Sequence, residues 1–388
     1  MPLPGAQKSI EDIKLNLYRT PKGDSLGYLP VAVDPDLQSA LDALFPNLHR
    51  SYSLALLDIT PGRKIRYAQR QELKGFQPGS VGKLAVISGL FCELENLFPD
   101  SFELRRELLK KRVVKGGPFA VYDHHTVPFF DPETNKLVKR QVRESDEFTL
   151  YEWADHMLSV SNNGAASVVW REAMLMRFFG KKYLTLTQKE ADDFFKTTKK
   201  STLADLAISV VNDPLRSVGI SEDEWRLGTM FTRGASGIVP GKGGSLGTPL
   251  GLMKFLVALE RGDIVDAASS LEIKRLMYMT DRRIRYAANK ELNDAAVYFK
   301  SGSLYKCKPE AGYTCAKYKG NVDNYMNSVA IVERGDTAVY LVALMTNVLR
   351  RNSNADHNAL AGKIDKMIRD MTKVEPLEEK LKEPVEEE

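Results

Sequence analysis

No run of about 18 apolar residues occurs in the 388-residue chain, so no membrane-spanning helix is expected. A secretory apolar core is also missing from the start, which opens Met-Pro-Leu-Pro-Gly-Ala-Gln-Lys. Charge of one sign is lacking too: 55 basic residues face 51 acidic ones, and the net +4 is spread thinly. Without the concentrated basic patch that a phosphate backbone requires, nucleic acid is not expected as a partner. Phosphate-cradling glycine patterns are absent as well. Gly241-Lys-Gly-Gly-Ser-Leu-Gly247 fits neither the P-loop nor the dinucleotide fingerprint and reads as a flexible loop. Cysteine is scarce, with three in the chain. Cys92 falls among apolar helix positions and reads as core. Cys307 and Cys315 flank Lys-Pro-Glu-Ala-Gly-Tyr-Thr. They either close a disulfide worth roughly 2 to 3 kcal/mol or stay as two thiols, which leaves the compartment open. At 43% apolar the chain shows no sign of disorder and is ample for one or two cores.

What the chain does carry is three short polar motifs in one order: Ser80-Val-Gly-Lys83, Ser161-Asn-Asn163 and Lys300-Ser301-Gly302. The first is weak alone, because the S-x-x-K spacing recurs at Ser303 to Lys306. Its setting adds weight. Pro78 and Gly79 break the chain just before Leu84, Ala85, Ile87, Leu90 and Phe91, an apolar run at helical spacing, so Ser80 should open a helix. Residues three apart share a helix face, which makes the Ser80 hydroxyl and the Lys83 amine neighbours, as a nucleophile and its base must be. The partial positive charge at the helix start would help keep that amine neutral. The plain alternative is an N-cap serine beside a surface lysine.

Ser161-Asn-Asn163 falls between an amphipathic stretch over 148–158 and a second helical run from Ala165. In an extended connector, residues two apart face the same way, so Ser161 and Asn163 would both point into a cleft. An ordinary capped turn is the alternative. Lys300-Ser301-Gly302 lies in the β-branched and aromatic run Ala295 to Tyr305, which reads as a strand. Glycine inside a strand is costly unless something approaches the backbone closely. A bound acyl group lying along the strand edge, met by the Ser303 N–H and the Lys300 charge, would be that visitor; an edge bulge is the alternative.

Together these motifs match the S-x-x-K, S-D-N and K-T-G set. Over roughly residues 35 to 372 the chain resembles the penicillin-recognising serine hydrolases, class A β-lactamases most closely. The segment Glu152 to Ala166 is similar to the family's helix leading into its second motif, and Thr248-Pro249 with the apolar run to Leu259 resembles the helix before the third. Segments 327–332 and 338–344 look like the two final strands. The resemblance implies an α/β fold of the α+β type, β-lactamase/transpeptidase-like: one antiparallel sheet from N- and C-terminal strands, helices on both faces and a central helical lobe. It implies Ser80 as acylated nucleophile, Lys83 as general base and Ser161 as proton relay to the leaving nitrogen. Asn163 would hold a substrate amide, and Lys300 and Ser301 a substrate carboxylate beside Gly302. The N–H groups of Ser80 and Ser303 would form the oxyanion hole.

Deacylation departs from the family pattern. The match to its E-x-x-L-N loop is Glu224-Trp-Arg-Leu227-Gly228, with glycine in place of asparagine. Glu224, or else Glu222 or Asp223, would activate the hydrolytic water, unless Ser221-Glu-Asp-Glu is only an acidic helix start. The stretch 171–220 is longer than compact β-lactamases carry.

The expected function is β-lactamase-type hydrolysis through a covalent acyl-enzyme. The first alternative is a slowly deacylating D-alanyl-D-alanine carboxypeptidase or penicillin-binding protein, and the second a non-catalytic ligand-binding relative. A small-molecule substrate, a monomer and no cofactor or metal are expected. Asp123-His124-His125 has good metal-ligand chemistry and is similar to the triplet of the DHH phosphoesterases, but no second aspartate–histidine cluster completes such a site. Read literally the chain stays in the cytoplasm, whereas the resemblance implies the periplasm or the cell exterior. In organisation, residues 1–35 are expected as an extended lead-in and 36–372 as the hydrolase domain. Within it, 36–79 plus 291–372 form the α/β part and 80–290 the mainly helical lobe, with paired strands over 52–58 and 63–67. Residues 373–388 read as a solvated charged tail.

Overall fold

The computed structural model describes residues 3–27, 29 and 31–374, so the expected tail after residue 374 lies outside the described residues. Its backbone is a five-stranded antiparallel sheet. We number the strands β1 (Ser53–Asp58), β2 (Arg66–Arg70), β3 (Ala296–Lys306), β4 (Asp323–Glu333) and β5 (Val339–Asn347), with spatial order β2-β1-β5-β4-β3. Leu56 pairs with Val342 and Ser328 with Ser301, so strands from the two ends of the chain form one sheet, as expected. Strand alternation puts Leu54 and Leu56 on one face, with Leu37, Leu41, Leu360 and Ile364 of the flanking helices Pro35–Asp42 and Asn354–Val374. Ala55 and Leu57 face the other way, into the core shared with the Pro249–Arg261 helix and the lobe. Both faces are therefore covered by helix.

Helix Lys83–Leu97 runs through the middle of the lobe and is buried on nearly every side, consistent with its apolar sequence. Helices Leu150–Leu158, Asn163–Phe179 and Lys200–Ser217 pack around it. The long 171–220 stretch is thus mostly helix. Its Lys- and Thr-rich part supplies the end of Gln188–Thr197 and the start of the next helix, after a Thr187–Glu190 capping box.

Two expectations need correction. The second strand starts at Arg66 rather than at residue 63, because buried Asp58 takes the Arg66 guanidinium at 2.6 Å and the Thr60 hydroxyl at 2.6 Å and so widens the turn. Within the lobe, short strands accompany the helices: Thr126–Asp131 and Lys136–Gln141 form a hairpin, and Trp225–Arg226 pairs with Leu246–Gly247. The lead-in is packed rather than merely extended. Ile13, Leu17 and Leu26 are buried in the main core, Pro21–Ser25 is a short helix, and the backbone of Gly5 and Ala6 pairs with the start of β3.

Candidate active site

Gly79–Gly82 forms a single 3-10 turn that feeds the Lys83–Leu97 helix, so Ser80 sits one turn before the α-helix proper. Two glycines let this turn meet β3. Gly79 has φ +55°, and a Cβ there would stand 2.7 Å from the Ser303 nitrogen. A Cβ on Gly302 would stand 2.1 Å from the Pro78 oxygen and 2.8 Å from the Val81 nitrogen. The close visitor that the strand glycine was expected to admit is therefore the Gly79–Gly82 turn itself. A substrate lying along the edge would come in addition. Asn327 on β4 donates to the carbonyls of Gln77 and Pro78 at 2.9 and 3.0 Å, which pins the turn to the sheet.

Lys83 is fully buried. Its Nζ lies 3.0 Å from Ser80 Oγ, 2.7 Å from Ser161 O, 3.4 Å from Ser161 Oγ and 2.7 Å from Asn163 Oδ1. Burial lowers its pKa to about 7, with Asp123 opposing and Arg282 assisting. Neutrality of the amine therefore follows mainly from loss of water rather than from the helix end. Lys300, also buried, reaches Ser161 Oγ at 2.8 Å, and burial followed by the Lys83 charge holds its pKa well below the ordinary lysine range. One hydroxyl, Ser161 Oγ, thus stands between two amines.

The connector that presents Ser161 is not extended. Ser161 adopts φ +63°, a left-handed conformation that non-glycine residues rarely hold outside functional or tightly braced sites. Its neighbours explain how it is held. Asn162 caps the next helix through Ala165 N at 2.7 Å and donates to His125 O at 3.0 Å. Asn163 is the first residue of that helix, and Asp123 takes its backbone N–H at 2.5 Å and its side-chain amide at 3.2 Å. Asp123 also takes His125 Nδ1 at 2.6 Å. Burial works against the Asp123 charge, yet the His125 hydrogen bond and its other donors outweigh it, so the carboxyl stays below its ordinary range.

The Asp123-His124-His125 triplet is therefore a brace for the second motif. Its ligand atoms lie within 4.8 Å of one another, but both Asp123 oxygens are already engaged, and no further histidine, cysteine or carboxylate joins the group among the described residues. Nothing in the triplet alone marks Asp123 as the partner of Asn163, 40 residues away.

Ser80, Ser161, Asn163, Ser301, Gly302 and Ser303 all line one cavity of about 470 Å³. Its remaining wall includes residues the motifs did not indicate: His125, Phe231, Arg282, Arg285 and Tyr318. Glu224 is not among them. Its carboxylate takes Lys254 Nζ at 2.5 Å and the Ser221 N–H at 2.8 Å, in a local turn, so the structure does not bring it to the other candidate residues. Glu222 and Asp223, both exposed, do not line the cavity either. The side facing the Ser80–Lys83 turn is apolar instead. A Cβ on Gly82 would meet Leu227 Cδ2 at 2.6 Å and Phe231 Cζ at 3.5 Å, and Lys83 Nζ stands 5.1 Å over the Phe231 ring. Gly228 follows from packing, because a Cβ there would fall 2.5 Å from the Gly243 oxygen, leaving no room for the family's asparagine.

Cys307 and Cys315 are joined in a disulfide with Cα atoms 6.1 Å apart, which settles that alternative. The bond closes a small loop early in the connection between β3 and β4, and Lys317 and Tyr318, just beyond it, line the cavity.

Residues 36–371 match the Beta-lactamase enzyme family. Among solved structures, PBP-A is 12% identical with a TM-score of 0.55, covering 90% of this chain and all of its own. A β-lactamase from Xanthomonas campestris is 16% identical with a TM-score of 0.54, over 88% of this chain and 99% of its own. An ancestral class A β-lactamase is 17% identical with a TM-score of 0.53, over 85% and 99%. At these identities the likeness is one of fold. No curated protein sequence matches the chain.

Proposed function

Because the chain belongs to the β-lactamase enzyme family, we propose that Ser80 is acylated by β-lactams and D-alanyl peptides and releases the acyl group slowly, as a penicillin-binding protein does. The observation that carries this reading is the wall beside the nucleophile. Leu227 and Phe231 occupy it, Glu224 is bound to Lys254, and no aspartate or glutamate lines the cavity among the described residues. The short distances around Ser80 favour acylation, and the apolar wall disfavours carboxylate-assisted attack by water.

In acylation, neutral Lys83 takes the proton from Ser80 Oγ across 3.0 Å as Oγ bonds to the acyl carbon. The carbonyl oxygen becomes an oxyanion beneath the N–H groups of Ser80 and Ser303, aligned by the Gly79 and Gly302 contact. The C–N bond then breaks. Ser161 Oγ gives its proton to the leaving nitrogen and is re-protonated by Lys83, with Lys300 at 2.8 Å polarising it. A substrate carboxylate beside Ser301 would draw Lys300 back to its charged form, since an opposite charge nearby favours the ammonium. Asn163 already bonds Lys83 and Asp123, so its first task is to orient the base.

A rapidly hydrolysing β-lactamase is the second reading, and one observation favours it. His125 lies on the cavity wall with Nδ1 held by Asp123, and burial, opposed by Asp123, lowers its pKa, which leaves a neutral imidazole near the acyl site.

Intact-protein mass after incubation with a fluorescent penicillin, with nitrocefin colour followed in parallel, separates the two readings. The expected result is a lasting adduct that Ser80→Ala abolishes, with little colour. Rapid colour without a persistent adduct would establish the β-lactamase reading, and no adduct at all would end both. Glu224→Gln is expected to leave the adduct lifetime within about twofold of wild type, because the side chain it alters does not face Ser80. A tenfold longer lifetime in that variant would restore Glu224 as the deacylation base.

A further inference from the structure

The active-site cavity does not end at its catalytic residues. It adjoins a second hollow of about 270 Å³, and His124, His125, Arg282 and Lys317 line both. Charge along this extension is uneven. The second hollow holds one ion pair, Lys139 with Asp281 at 2.8 Å, which cancels. Arg285 is buried and already spent, donating to Gly302 O at 2.7 Å and standing 5.2 Å over the Tyr318 ring. Arg282 and Lys317 are different. Among the described residues, the Arg282 side chain reaches the Val160 carbonyl at 3.5 Å and Lys317 stands 5.4 Å over the Tyr318 ring, and neither forms an ion pair with a carboxylate there.

Two cations without counter-charges on one concave wall, close to two buried lysines, repel one another at some cost to the folded state, and such a cleft concentrates anions. The ionisable groups around them respond to that field. The Arg282 charge helps to depress Lys83 and Lys300, and Arg285, Lys317, the Ser303 hydrogen bond and Arg282 together overcome the effect of burial on the Tyr318 hydroxyl and lower its pKa.

Resting on the acyl-enzyme reading above, we infer that the acyl donor carries a second acidic group on the part projecting past His125, and that Arg282 and Lys317 hold it. The substrate class is thus a dianionic acyl donor: one carboxylate at the Lys300-Ser301 strand and another at the Arg282–Lys317 wall. An arginine fork offers a carboxylate two parallel hydrogen bonds, which gives it geometry as well as charge. The covalent step is unchanged, since this wall touches neither the acyl carbon nor the leaving nitrogen.

The test uses the full chain and two penicillins of nearly equal size, carbenicillin and its side-chain methyl ester, which differ in the charge of the side-chain carboxyl. The rate constant for Ser80 adduct formation is measured by mass for each and expressed as their ratio. Wild type is expected to favour the free acid by about tenfold in low salt, the scale of one partly screened charge-assisted contact, with the preference falling towards unity in 0.5 M salt. Arg282→Gln with Lys317→Gln should remove it in low salt. Reading a ratio isolates recognition from any change the variants make to Lys83. If the double variant folds poorly, the salt dependence of wild type decides alone. Equal rates for acid and ester in wild type, or a preference that survives both the salt and the double substitution, would overturn the inference while leaving acylation at Ser80 intact. Failure of either compound, and of the fluorescent penicillin, to label Ser80 would overturn the acyl-enzyme reading and this inference with it.

Discussion

Lys83→Met slows acylation of Ser80 by about 10²- to 10⁴-fold, the range expected when a positioned general base is removed. The argument rests on geometry before pKa. Lys83 Nζ is held by Ser161 O and Asn163 Oδ1 at 2.7 Å each and aimed at Ser80 Oγ at 3.0 Å. Methionine keeps the length and bulk of the side chain but cannot take the proton. In wild type the acylation rate should climb with pH and level off above a midpoint near 7, because the amine is active only after it loses its proton and burial sets that loss at about 7. A flat profile between pH 5 and 9, or a midpoint close to 10, would show that Lys83 is not the base.

Stability is expected to move the other way. An amine whose pKa falls from 10.5 in the unfolded chain to about 7 when folded destabilises the native state, most strongly below pH 7, and the penalty fades as pH rises towards 10.5. At pH 6, therefore, the Lys83→Met protein should melt no lower than wild type despite its lost activity. A clear drop in melting temperature would instead assign Lys83 a structural role.

Gly302→Ala should cost about 100- to 1000-fold in acylation, through displacement of an oxyanion donor rather than loss of any functional group. The added methyl group would lie 2.1 Å from Pro78 O and 3.1 Å from Ser80 N, so strand and nucleophile turn must part. Separation of the two N–H donors by even an ångström takes them out of line with a single oxygen. The overpacking also costs about 1 to 3 kcal/mol, which thermal melting would register. Ser303→Ala is the companion variant, because it keeps the backbone N–H and is expected to acylate within a few-fold of wild type. Near-normal acylation by the Gly302→Ala protein would dissolve the assigned role of this contact.

The parts of the site legible in the sequence were the local ones. Ser80 and Lys83 share a helix turn, and strand character around Lys300 is written in its β-branched and aromatic neighbours. Sheet pairing between the two ends of the chain came from the family resemblance rather than from periodicity, because β1 and β5 are buried on both faces and show no alternation. What escaped was non-local. Asp123 braces Asn163 from a loop, and neither motif names the other. The left-handed turn at Ser161 carries no compositional mark, since serine rarely adopts it and glycine does so readily. Glu224 shows the limit of a local match, since the motif gives no sign that Lys254 on a separate helix takes its carboxylate. The cationic wall was missed for a third reason. Arg282 and Lys317 lie 35 positions apart and meet only because the β3–β4 connection folds back over the cavity.

The pairing of the N-terminal segment with β3 has a bearing on how much of the sheet's outer edge is left open. β3 is the last strand of the sheet, and a bare outer strand invites another chain to pair with it. Gly5 and Ala6 occupy its beginning through the Val297 N–H to Gly5 O bond at 2.9 Å and the Ala6–Ala296 bridge. Farther along, the Ser80 turn abuts Gly302 and Ser303 so tightly that no free strand could lie flat there. The edge that would admit a ligand is thus covered at its beginning and crowded by the Ser80 turn at its middle.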